Sequence, residues 1–127
     1  MLARPNIASK ETWVRQYDHE VIAQTAVKPF IGVERDGPGD AGLIAPIHGS
    51  THGIVVSCGI NPRYSDIDAG AMAAASIDEA VRNAVCVGVD IDKIAGLDNF
   101  CWPDPIESEK TPDGKFKLAQ LVRANRE

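Results

Sequence analysis

The chain has 127 residues, 44% hydrophobic and 24% charged, and its 18 acidic and 13 basic side chains give a formal net charge of −5. That length suits a single domain over 1–127 that can bury a core without disulfides or structural metal, and the composition is far from that of a disordered chain. The acidic balance argues against nucleic acid as a partner. No apolar run approaches a bilayer span, and Met1-Leu2-Ala3-Arg4-Pro5 lacks the layout of a secretory signal, so no membrane partner and a cytoplasmic setting are expected.

In chain order, Ser9 precedes Lys10-Glu11-Thr12-Trp13 and is placed to cap a helix with an acid in its first turn. Trp13, Tyr17 and Val21, spaced at i, i+4 and i+8, form one apolar stripe, with Arg15 and Glu20 facing water. The spacing predicts that this helix ends near Val21 or Ile22. Residues 27–33 are β-prone but contain Pro29, which suits an edge strand or an extended connection. Asp36-Gly37-Pro38-Gly39-Asp40 is dense in turn formers, and residues 41–47 and 53–59 read as two strands joined through His48-Gly49-Ser50-Thr51-His52.

The strongest helix signal covers 70–87. Met72, Ala73, Ser76, Ile77, Ala80, Val81, Ala84 and Val85 give it a wide, alanine-rich face that could lie close on a sheet, and Gly88 is placed to stop it. Residues 94–97 then read as a short strand ending at Asp98, before the prolines at 103 and 105. A charged loop over 108–114 leads to a last helix marked by Phe116, Leu118, Ala119, Leu121 and Val122. That helix has no Gly or Pro to end it, and the sequence reads as a piece of something longer. The pattern of helices and strands points to an α/β (α+β) layered domain, a mixed sheet with helices packed on one face.

Candidate chemistry is sparse. Asp36, Asp40, Asp66, Asp68, Asp90 and Asp92 sit at turns, where aspartate bonds its own backbone. Asp98 differs, because α/β sheets place ligand contacts at strand ends and a carboxylate there suits a magnesium-bound nucleotide. His48 and His52 read as solvated loop residues. Cys58, Cys86 and Cys101 show no C-x-x-C pair; they read as reduced thiols, with Cys58 and Cys86 behaving as small buried hydrophobes. The glycines match neither phosphate-loop pattern and read mostly as turns, and no nucleophile, catalytic set or metal ligand set is marked locally.

The words Arg4-Pro5-Asn6-Ile7-Ala8-Ser9-Lys10-Glu11, Arg15-Gln16-Tyr17-Asp18-His19-Glu20-Val21, Ser57-Cys58-Gly59-Ile60-Asn61-Pro62-Arg63-Tyr64 and Leu97-Asp98-Asn99-Phe100-Cys101-Trp102 resemble the large subunit of the phosphoribosylformylglycinamidine synthase family. Asp66-Ile67-Asp68 and Arg82-Asn83 also fit. The resemblance implies a fold like the N-terminal domain of aminoimidazole ribonucleotide synthase, taken from the second of the family's two similar halves and truncated at its C-terminus. It implies a role in an ATP- and magnesium-dependent ligase of purine biosynthesis. Implied partners are the remaining synthetase domains, through pseudo-dimer pairing, and a glutaminase that supplies ammonia; a homodimer of the isolated piece is a further expectation. Asp98 corresponds to an ATP contact. The segment 57–62 lacks the family's Glu and His, and Asn83 stands where the first half has a magnesium-binding aspartate, so no catalytic residue is implied here and the piece alone is expected to be inactive.

Overall fold

The structure, a computed structural model, describes residues 1–17 and 19–126. The chain divides into two compact units, Met1–Val56 and Ser57–Glu127. The elements are antiparallel strands and helices, an α+β composition.

In the first unit, α1 spans only Glu11–Val14, and its N-cap is Lys10 with no side-chain cap rather than the expected Ser9, whose Oγ accepts the Glu11 N–H at 3.2 Å from one residue further out. The expected helix to Val21 or Ile22 does not form as predicted; Asp18, within that expectation, lies outside the described residues. Trp13 and Tyr17 are 71% and 95% exposed, so the stripe meant to hold the helix buries little, and a helix this short depends on such packing. The chain leaves the region through Ile22 and Ala23 at φ 66° and 56°. Both are in the left-handed region that L-residues with a Cβ resist, Ile22 doubly so because it is β-branched. Arg15 binds the segment internally. Its guanidinium lies 4.9 Å from the centre of the Phe30 ring, pairs with Glu11 at 2.7 Å and donates to the Arg35 carbonyl. Glu20, expected to face water, is half-buried and paired with Lys28, whose hydrogen bond holds the carboxyl below its ordinary pKa.

Strands β1 (Thr25–Val27), β4 (Gly42–Ile44) and β5 (Ile54–Val56) form a three-stranded sheet in the order β1-β4-β5, while β2 (Phe30–Ile31) and β3 (Gly37–Pro38) form a separate ribbon. Every described pairing is antiparallel rather than mixed. For β2–β3 and β4–β5 the connections explain this, since a short link closes a hairpin whereas a parallel neighbour needs a crossover of about a dozen residues or more. The predicted pair around the two histidines is β4 with β5, in the register Gly42↔Val56, Leu43↔Val55 and Ile44↔Ile54. The β-prone stretch before it is divided at Pro29 and supplies two edge strands. Gly37-Pro38, expected in a turn, pairs instead with Phe30–Ile31.

The second unit is helical. Helix α2 spans Ala69–Cys86 and α3 spans Gly114–Ala124. Asp68 caps α2 from an extended backbone, its side chain accepting the Ala71 N–H at 2.8 Å. At the other end Gly88 takes φ 92°, its N–H bonds the Val85 carbonyl at 2.9 Å, and the Val89 N–H reaches the Ala84 carbonyl at 3.3 Å. That two-bond closure is the Schellman arrangement, and it calls for glycine at the left-handed position.

The alanine-rich face of α2 meets α3 rather than a sheet within this unit. Ala69, Met72 and Ala73 cluster with Ala124, and Phe100 and Trp102 pack against them. Methyl-sized side chains let the two helices approach closely, but they remove little apolar area from water each. Ile77 and Val85, expected on the buried face, are each 47% exposed. The last helix closes at Ala124, where the Asn125 N–H bonds the Leu121 carbonyl at 3.0 Å, instead of running on to the final residue.

Residues 94–97 form no strand. A short 3₁₀ turn over Ile91–Lys93 gives way to irregular backbone through the prolines. The alternation there was too brief to outweigh Gly96 and the lack of a pairing strand.

The left-handed geometry at residue 23 yields a test. An L-residue in that region costs about 1–2 kcal/mol, and glycine gives back about 0.5–1 kcal/mol in backbone entropy. Ala23→Gly should therefore raise stability by about 0.5 kcal/mol, whereas Ala26→Gly in β1 should lower it by about the same amount or more. Urea midpoints of the two variants check the opposite signs; destabilisation by both would refute the strain at Ala23.

Candidate functional site

The resemblance-bearing words of the second unit fall on two structures that share α2. One is the segment 57–61, which lies along the helix. Ser57 Oγ donates to the Ala80 carbonyl at 2.7 Å, and Asn83 Nδ2 donates to the Cys58 carbonyl at 3.1 Å. Glu79 accepts both the Ile60 N–H at 3.0 Å and Asn61 Nδ2 at 2.9 Å. Four side chains, Ser57, Asn61, Glu79 and Asn83, thus tie this stretch to α2.

Gly59 makes that approach possible. A Cβ on it would stand 1.9 Å from the Ser76 carbonyl oxygen and 2.9 Å from the Ala80 nitrogen, so no other residue fits without moving the segment away. The glycine serves backbone contact, not a turn. A similar contact occurs at Gly114, where a Cβ would meet the Ile106 carbonyl carbon and the Glu107 nitrogen at 2.3 Å.

The other structure is Asp98-Asn99-Phe100-Cys101-Trp102. Phe100 and Trp102 stack edge to face, with ring centres 5.7 Å apart, and Trp102 Nε1 donates to the Lys117 carbonyl at 3.0 Å. The indole therefore buries apolar surface against the helices while satisfying its one donor. Asp98 is exposed on irregular backbone, not at a strand end, and among the described residues it makes no ion pair or side-chain hydrogen bond. Its carboxylate faces solvent and is available to a ligand.

The structure does not bring Asp98 together with other acids. Among the described residues no group of three or more His, Cys, Asp or Glu side chains could hold a metal ion. His48 and His52 are exposed, as expected of solvated loop residues. Cys58, Cys86 and Cys101 are free thiols, but all three are exposed, which corrects the buried reading of Cys58 and Cys86. Cys58 follows the end of β5, and Cys86 lies in the last turn of α2, beyond the stretch that meets α3.

Asp68 has more work than its place at a turn suggested. Besides capping α2, it takes a hydrogen bond from Arg123 of α3 at 2.8 Å, so one carboxylate links the start of one helix to the last turn of the other. The Ala71 N–H and then Arg123 hold its pKa below the ordinary value. An aspartate directly before an apolar helix could have signalled the cap, but nothing local signalled Arg123, Glu79, Ser57 or Asn83 as partners across the sequence.

No family model matches the chain, and no solved structure matches it. Curated relatives do. The chain is 38% identical over 108 residues to the phosphoribosylformylglycinamidine synthase subunit PurL of Methanothrix thermoacetophila, covering 85% of this chain and 13% of the relative. It is 34% identical over 123 residues to the subunit of the same name from Deinococcus radiodurans, covering 97% and 15%. Against that of Thermus thermophilus it is 33% identical over 127 residues, covering 100% and 16%. The chain thus spans between about an eighth and a sixth of the length of these relatives.

Two measurements test this geometry. Gly59→Ala should destabilise the protein by about 1–3 kcal/mol or more through forced displacement of backbone, while Ser57→Ala should cost about 1 kcal/mol for its one hydrogen bond; equal effects in urea denaturation would contradict the close contact. The second concerns acid. A carboxyl whose folded pKa is lowered adds stability above its unfolded value, about 3.9, and loses it as pH falls through the folded value. Asp68→Asn keeps a capping oxygen but removes the charge, so its stability should fall less steeply than the parent's below about pH 4. Parallel acid limbs in thermal melts from pH 5 to 2 would show that Asp68 does not titrate with folding.

Proposed function

We propose that this chain, homologous to a part of the PurL subunits of phosphoribosylformylglycinamidine synthase, serves as one piece of that ATP-dependent carbon–nitrogen ligase. The observation that carries the reading is identity of 33–38% running along 85–100% of the chain. The activity would be the conversion of formylglycinamide ribonucleotide to the amidine in purine biosynthesis, in the cytoplasm. In this reading ATP activates the formamide oxygen and ammonia from a glutaminase partner displaces it. The chain would be a single domain like the N-terminal domain of aminoimidazole ribonucleotide synthase, from the second half of the parent.

The residues at hand suit a supporting part in that chemistry. Asp98 is exposed and free of an ion pair among the described residues, so its carboxylate can meet magnesium-bound ATP directly or through water. One carboxylate does not make a metal site, and among the described residues no acidic cluster completes one. Asn83, in the position that corresponds to a metal ligand in the other half, spends its amide on the Cys58 carbonyl. The exposed Asp98 carboxylate supports a piece that contributes to a nucleotide site.

A second reading, a pairing domain with a structural or regulatory role, draws on burial. Ile44, Ile54 and Val56 of the three-stranded sheet are among the exposed aliphatics. Pairing with the remaining synthetase domains would cover such surface, and a homodimer could do so for the isolated piece.

Asp98→Asn in the full-length synthetase separates these readings. A lost charged hydrogen bond is worth about 1.5–3 kcal/mol, so the KM for ATP should rise about tenfold or more with the thermal midpoint unchanged. Unchanged KM and kcat would remove Asp98 from the nucleotide site and favour the pairing role. The 127-residue piece should produce no amidine from formylglycinamide ribonucleotide, ammonia and ATP; turnover above a protein-free control would overturn its supporting role. Light scattering at high micromolar concentration should give a dimer mass, and a particle that stays monomeric would rule out self-pairing.

A further inference from the structure

We draw no further inference here: the strongest candidate, the open apolar groove that Phe100, Trp102, Leu121 and Val122 line beside α3, is an unpartnered face, and nothing in the structure shows what covers it.

Discussion

The second unit depends on one close contact between backbones, the passage of residue 59 over α2. The hydrogen bonds that Ser57 and Asn83 donate and Glu79 accepts can form only because nothing projects from Gly59 toward the Ser76 carbonyl. A side chain there would push the segment outward, and the loss would extend to every bond that depends on its position. Such coupling makes the cost of one added carbon larger than any single hydrogen bond it displaces.

The same economy of size governs the helix pair. Ala69, Ala73 and Ala124 let α2 and α3 approach, with Met72 filling the remaining space and the Phe100–Trp102 pair covering the cluster. Small residues give close contact but little hydrophobic free energy per residue. Polar fastenings at the edges matter more as a result: Asp68 to Arg123 joins the helix ends, and Trp102 to Lys117 ties the irregular segment to α3.

The parts legible in the sequence were those with local causes. Helix α2 carried its own period and its own stop at Gly88, so its bounds could be read to within a residue or two, although its cap, Asp68, read only as a turn aspartate. The β4–β5 pair announced itself by two apolar runs around a polar link. The misses share a different cause. The α1 stripe had the right period but only small burial to reward it, and residues 94–97 had one β-prone side chain, Ile94, and no strand to pair with. Gly59 looked like any other glycine, because what it approaches lies 17 residues away at Ser76. The four words that carried the family resemblance did better than periodicity here, since they record the outcome of long-range contacts that a local pattern cannot express.

The words also separate two kinds of residue that resemblance alone treats alike. In 57–62 and at Asn83 the polar groups are spent on holding backbone, which accounts for their identity without any ligand. In 97–102 the aromatics are spent on packing, and the Trp102 N–H on a carbonyl. Asp98 is left over. Its charge stabilises no helix and no described ion pair, and an exposed turn residue would tolerate many substitutes. A role in ligand contact would explain why a carboxylate stands there, whereas the fold of this chain does not require one. Under the proposed nucleotide role, Asp98, rather than the more elaborately bonded Asp68 or Glu79, is the position where function and stability are most separable.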